Sequence, residues 1–165
     1  MVDCVSLADI EIAKLQFREH GICCVRGAVN VEDIHRLEVN FSTLPVDPRQ
    51  PSRKGACTNN DKLNSTVLDT LFISDFLTDE EHQLAFPVEM RRYDQNSQGM
   101  RKHVDTAMFS PPQLEAVLTV NNSDNCTTFV WTDKDSNTHS LQPQRGDLVY
   151  VLAGKHPTRS HRSVT

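Results

Sequence analysis

The five cysteines of this chain, Cys4, Cys23, Cys24, Cys57 and Cys126, include no Cys-x-x-Cys pair, so the spacing used by zinc ribbons and dithiol redox motifs is missing. Their number is odd, and Cys23 and Cys24 are too close for an easy mutual bridge. Five reduced thiols are the expectation. Gly-x-Ser-x-Gly, Gly-x-Gly-x-x-Gly and P-loop patterns are also missing, and six glycines are too few and scattered for a phosphate cradle. A nucleophile-elbow hydrolase and a nucleotide-binding fold are thereby disfavoured. No apolar run approaches the roughly 20 residues needed to span a bilayer. The opening Met-Val-Asp-Cys shows no basic n-region or apolar h-region of a secretory signal. Positive charge is not in excess, since the formal net charge is -5, which gives no reason to expect nucleic acid or an anionic membrane as partner. A cytoplasmic or nuclear location follows as an expectation.

What remains has the makings of one soluble domain. The 165 residues fall within the size of a single compact domain. Hydrophobic residues at 38% and charged residues at 24% are enough to build a core and too balanced for a disordered chain. Leu7, Ile10, Leu15 and Phe17 approximate a helical stripe over 7–18, with Ser6 as a plausible N-cap and Gly21 as the stop. Ile22-Cys23-Cys24-Val25 reads as a short strand ended by Gly27, and Val31, Ile34, Leu37 and Phe41 give a second helix. Pro45, Pro48, Pro51 and Gly55 make 45–66 read as a loop. Leu68, Leu71, Phe72 and Phe76 could share one face of a third helix. From Val88 onward the pattern becomes short strands at 88–93, 100–105, 114–121, 127–132, 138–142 and 147–152, separated by turn-rich intervals. Helices first and short strands after predict a mainly β, α+β fold of sandwich or barrel type.

Within the strand region, residues 103–105 read His-Val-Asp. A strand alternates its side chains, so His103 and Asp105 project from one face, within reach of one ion. A second histidine from elsewhere would complete the two-histidine, one-carboxylate set that leaves open positions on Fe(II). His161 and His156 are the candidates. The flanking segments are Met90-Arg-Arg-Tyr93, Leu114-Glu-Ala-Val-Leu-Thr-Val-Asn121, Thr127-Thr-Phe-Val-Trp131 and Leu141-Gln-Pro-Gln-Arg-Gly-Asp-Leu-Val-Tyr-Val151.

In this order the segments resemble the Fe(II)- and 2-oxoglutarate-dependent dioxygenases, with most likeness to the prolyl-hydroxylase-like branch, over residues 88–165. The helix-strand-helix opening around Phe17–Gly27 is similar to that of such domains. The resemblance implies a double-stranded β-helix, or jelly roll, in a single domain, with 1–87 as helical support and loop. It implies Fe(II) as metal, 2-oxoglutarate and O₂ as co-substrates, ascorbate as an optional accessory, and hydroxylation of an organic substrate. A protein or peptide side chain is the favoured substrate class, with a small molecule the other choice. Residue by residue, His103 and Asp105 match the near metal ligands. His161, followed by Arg-Ser-Val-Thr, matches the distal one better than His156. Tyr93 matches a tyrosine beside the co-substrate, and Thr119 a position facing the same pocket. Phe109 and Trp131 are candidates either for the mouth of the site or for the core.

Two departures from the family pattern stand out. Asn125-Cys126 takes the place of a usual Gly-Gly, which predicts a backbone less able to bend there. The strand after the distal histidine, which in the family carries the Arg or Lys for the far carboxylate of 2-oxoglutarate, is not in the sequence, which ends at Thr165. This suggests a truncated chain or a substitute cation. Arg grips a carboxylate with two hydrogen bonds, and strand alternation sets Arg91 on one face with Tyr93, so Arg91 is the first candidate and Arg101 the second. Two other functions suit the same residues: a degenerate jelly roll that only binds, and a cupin-like metal enzyme independent of 2-oxoglutarate.

Overall fold

A computed structural model describes residues 2–43, 46–47, 50–55, 89–93, 100, 103, 114–122, 125, 127–133, 135–152 and 158–163. The chain divides into two compact units, Met1–Ala28 with Gln95–Thr165, and Val29–Asp94.

The first unit is built on two sheets. Strands β1 (Cys4–Ser6), β2 (Ile22–Arg26), β6 (Leu114–Leu118) and β9 (Leu148–Leu152) form one, in the order β1-β2-β9-β6. β1 runs parallel to β2, and the other pairs are antiparallel. Strands β7 (Thr127–Thr132), β8 (Thr138–Leu141) and β10 (Thr158–Ser163) form the other, in the order β10-β7-β8, all antiparallel. Ile22 and Cys24 of β2, opposite Val151 and Val149 of β9, share one face of the first sheet. They pack with Phe129 and Trp131 of β7 in a single core cluster that Val2 also enters. Each such large side chain contributes roughly 1.5–3 kcal/mol on full burial.

The other face of β2 and β9 carries Cys23, Val25, Leu148 and Tyr150, also buried. Helix α1 (Ile10–His20) packs against β2, and burial on both faces is why the two strands read as unbroken apolar runs. A 3-10 turn over Leu7–Asp9 precedes the helix, so the expected start at Leu7 shifts to Ile10. Ser6 makes no backbone cap; its hydroxyl donates to the Asp9 carboxylate at 2.7 Å. The stop at Gly21 is as expected: with φ 68° it takes the left-handed cap, and its N–H donates to the Phe17 carbonyl at 2.7 Å.

Cys4 and Cys24 occupy registered positions on the parallel pair β1 and β2, with Cα atoms 4.6 Å apart, and are joined by a disulfide. This corrects the expectation of five reduced thiols. Sequence spacing does not reveal a pairing created when two strands become neighbours. Cys23, on the opposite face of β2, is a buried free thiol.

The second unit holds α2 (Val31–Ser42) and a three-stranded antiparallel sheet of β3 (Val46–Asp47), β4 (Gln50–Gly55) and β5 (Glu89–Arg91). Asn30 caps α2: its side-chain oxygen accepts the Asp33 N–H at 2.9 Å and its amide donates to the Asp33 carboxylate at 2.6 Å. Ile34 and Leu37 of this helix are fully buried. β3 and β4 replace part of the loop expected over 45–66. The helix expected near 68–76 lies outside the described residues.

Candidate functional site

The residues expected to hold a metal belong to the first unit. His103 makes a single β-bridge and is half-buried. Asp105 and His156 lie outside the described residues, as do Arg101 and Phe109. His161 falls within β10, opposite Phe129 of β7, which in turn faces Leu141 of β8. Directly opposed residues of antiparallel strands share a sheet face. Position 161 therefore lies on the face that carries Phe129 and Trp131, the core face.

Thr119 follows β6 directly and is clamped through its backbone. Its N–H donates to the Asp147 carbonyl at 2.9 Å, and its carbonyl accepts the Gly146 N–H at 2.8 Å. Asp147 is itself fully buried. Its carboxylate accepts the Gly27 N–H at 3.0 Å and the Gln144 N–H at 2.8 Å, and pairs with Arg26 Nη1 at 3.1 Å. One side chain thus ties the end of β2 to the turn that leads into β9, and through that turn to Thr119. Asn122 adds a second tie: its amide donates to the carbonyls of Pro143 at 2.7 Å and Thr127 at 3.1 Å, while its oxygen accepts the Thr127 N–H at 3.0 Å.

Asp147, within the 141–151 segment, and Asn122 carry no expected role from the sequence. The available signal was an acid placed directly before a run of apolar strand residues, where burial forces it to find donors. At the Gly-Gly departure, Asn125 takes φ 51°, a left-handed conformation that asparagine tolerates better than most residues. The bend that glycine would have eased is made nonetheless.

Trp131 is 2% exposed, so the choice left open for it falls on the core. Its ring stacks on His139 with centroids 5.3 Å apart. His139 Nε2 stands 2.8 Å from the Asp133 carboxylate, which also accepts the N–H groups of Asp135 and Asn137 at 2.9 Å each. The His139 hydrogen bond, with those backbone donors behind it, holds the Asp133 carboxyl well below the usual carboxylate range. This ties up the β7–β8 turn.

Arg91 and Tyr93 belong to the second unit. Arg91 ends β5 and is exposed; Tyr93 lies past the strand end and is half-buried. The strand expected over 88–93 covers Glu89–Arg91 only, so strand alternation does not link the two residues. Among the described residues, potential ligand atoms converge at Cys4, Cys24 and Asp147. There the sulfurs are already bonded to each other and the carboxylate has its donors, so no metal centre is assigned to that group. No described helix is long and apolar enough to cross a membrane.

No family model matches the sequence, and no curated protein matches it. Solved structures do match. A prolyl-4-hydroxylase from Pseudomonas putida superimposes with a TM-score of 0.61 at 14% identity, over 94% of this chain and 93% of that one. The non-heme alpha-ketoglutarate-dependent epimerase SnoN from nogalamycin biosynthesis gives 0.64 at 10% identity, over 94% and 77%. An oxidoreductase of the 2OG-Fe(II) oxygenase family from Burkholderia pseudomallei gives 0.63 at 11%, over 100% and 87%. The chain shares their fold. Mixed sheets with two helices are thus an architecture found in 2-oxoglutarate-dependent Fe(II) oxygenases, and identities of 10–14% carry the likeness no further than architecture.

The donors expected in this oxygenase-like fold suit Fe(II) chemically: two imidazoles and one carboxylate. Of them, His103 sits half-buried on a β-bridge and position 161 lies on a core-facing sheet surface of the same unit.

Proposed function

We propose that this chain is a non-haem Fe(II) oxygenase that couples oxidative decarboxylation of 2-oxoglutarate to hydroxylation of an organic substrate, with a protein or peptide side chain as the favoured class. The reading includes a single jelly-roll domain with its core in 88–165 and helical support in 1–87. The observation that carries it is the placement of His103 and position 161 in one unit of an oxygenase-like fold, with His161 in register opposite Phe129.

In this reading His103, Asp105 and His161 hold the metal, with His156 as the other distal choice. The metal, with 2-oxoglutarate and O₂, supplies the oxidising power that breaks a substrate C–H bond. The chain's own part is to orient and to exclude water. Thr119, fixed by two backbone hydrogen bonds, offers a hydroxyl for the co-substrate.

The test is anaerobic titration with Fe(II) and 2-oxoglutarate, followed by succinate release in air. Wild-type protein is expected to bind the metal and form succinate, and His103→Ala to lose both while keeping its far-ultraviolet circular dichroism. Metal binding by His103→Ala at wild-type affinity would refute the ligand assignment. Wild-type metal binding without succinate would refute the oxygenase activity and leave a binding module.

A further inference from the structure

Strand β1 is three residues long and, among the described residues, lies at a sheet edge, paired in parallel with β2 alone. So short a parallel pairing is weak alone. Yet Val2 and Cys4 at this edge enter the same core cluster as Ile22, Cys24 and Phe129. A covalent bond secures them. The Cys4–Cys24 bridge spans a sequence separation of 20 that contains the 3-10 turn and all of α1. It therefore ties the N-terminal strand and its helix to the centre of the first sheet.

The two sulfurs are not equally accessible. Cys24 is fully buried and Cys4 is only half-buried, so an incoming thiolate meets Cys4 first. We propose that Cys4–Cys24 is a thiol–disulfide exchange site for a dithiol reductant, and that its reduction releases β1 from the sheet. One thiolate of the dithiol attacks Cys4 Sγ, the S–S bond breaks, and Cys24 leaves as a thiolate that takes up a proton. The second thiol of the reductant then attacks the mixed disulfide, freeing Cys4 as a thiol and leaving the reductant as a cyclic disulfide. Two electrons and two protons pass from the dithiol to the bridge.

Cys23 does not short-circuit this exchange, although it adjoins Cys24 in sequence. Strand alternation places it on the opposite face, next to Tyr150 rather than the bridge. Burial pushes its thiol up to about 12, so the nucleophilic thiolate is scarce there. Among the described cysteines, then, the bridge answers to an external dithiol and not to Cys23.

The experiment compares native protein before and after dithiothreitol, by thiol alkylation with peptide mapping and by hydrogen exchange. Without reductant, the peptides carrying Cys4 and Cys24 are expected to resist alkylation even in denaturant; with it, both are labelled. Amide protection over Cys4–Ser6 should fall at least about tenfold on reduction, while that of β7 and β8 holds, as local opening predicts. Cys4→Ser should show the reduced pattern without reductant, and Cys23→Ser should behave as wild type. Unchanged protection of Cys4–Ser6 after reduction would overturn the proposal, as would alkylation of Cys4 and Cys24 before it. A bridge that dithiothreitol opens only in denaturant would overturn it too.

Discussion

Replacing Asp147 by alanine should unfasten the corner that joins β2 to β9, and its cost can be worked out from the contacts. The carboxylate is buried and faces three donors: Gly27 N–H at 3.0 Å, Gln144 N–H at 2.8 Å and Arg26 Nη1 at 3.1 Å. Breaking a fully buried ion pair from one side costs about 3–5 kcal/mol, because the surviving charge is stranded. Arg26 is not stranded, since its side chain is 39% exposed and can turn to water. The two backbone donors then dominate, at about 1.5 kcal/mol for each charge-assisted bond lost, or about 3 kcal/mol together. In a domain of this length that lowers the Tm by about 6–12 °C. Asp147→Asn keeps the volume and one acceptor and should lose roughly half as much. Arg26→Met leaves both amide bonds in place and should cost less than Asp147→Ala. Urea unfolding followed by Trp131 fluorescence measures all three. An alanine variant within about 0.5 kcal/mol of wild type, or an Arg26→Met variant more damaged than Asp147→Ala, would refute this reasoning.

Two further outcomes follow from backbone geometry and charge. Gly21 has φ 68° and its carbonyl accepts the Leu152 N–H at 2.9 Å, so Gly21→Ala should cost about 1 kcal/mol in the same unfolding assay through left-handed strain; a neutral substitution would contradict the cap. Asp133 has its folded pKa depressed by His139 first and then by backbone donors, so its contribution is complete at neutral pH and is lost as pH falls from about 4 toward the folded value. The stability gap between wild type and Asp133→Asn should narrow between pH 7 and pH 3, and a constant gap would remove the pairing as its cause.

The elements most legible in the sequence were those whose burial is simple. β2 and β9 are apolar on both faces because both faces are buried, and a run such as Leu148–Leu152 has few alternatives. β7 spans Thr127–Thr132 as its alternation predicts. β1 was not legible, since three residues show no period and the bridge that secures them is a tertiary event. The prolines of 45–55 argue for loop because proline withholds a ladder hydrogen bond, yet β4 includes Pro51 and pairs on both sides, with a register shift opposite it at Val46/Asp47. Local chemistry was read correctly there, and sheet context overrode it.

The candidate site divides along the same line. Expecting His103 and Asp105 on one face needs only the two-residue strand period, which is local; Asp105 lies outside the described residues. Choosing between His156 and His161 requires the register of a strand against a partner some thirty positions away, and no spacing encodes that. In β10 the register sets Arg159 opposite Trp131 and His161 opposite Phe129. A one-residue slip would bring Ser160 or Arg162 opposite Phe129 and move His161 to the other face. The aromatic row of β7 is fixed independently, because Phe129 and Trp131 pack with Ile22, Cys24, Val149 and Val151. The packing that seats Phe129 and Trp131 thus defines which sheet face position 161 occupies.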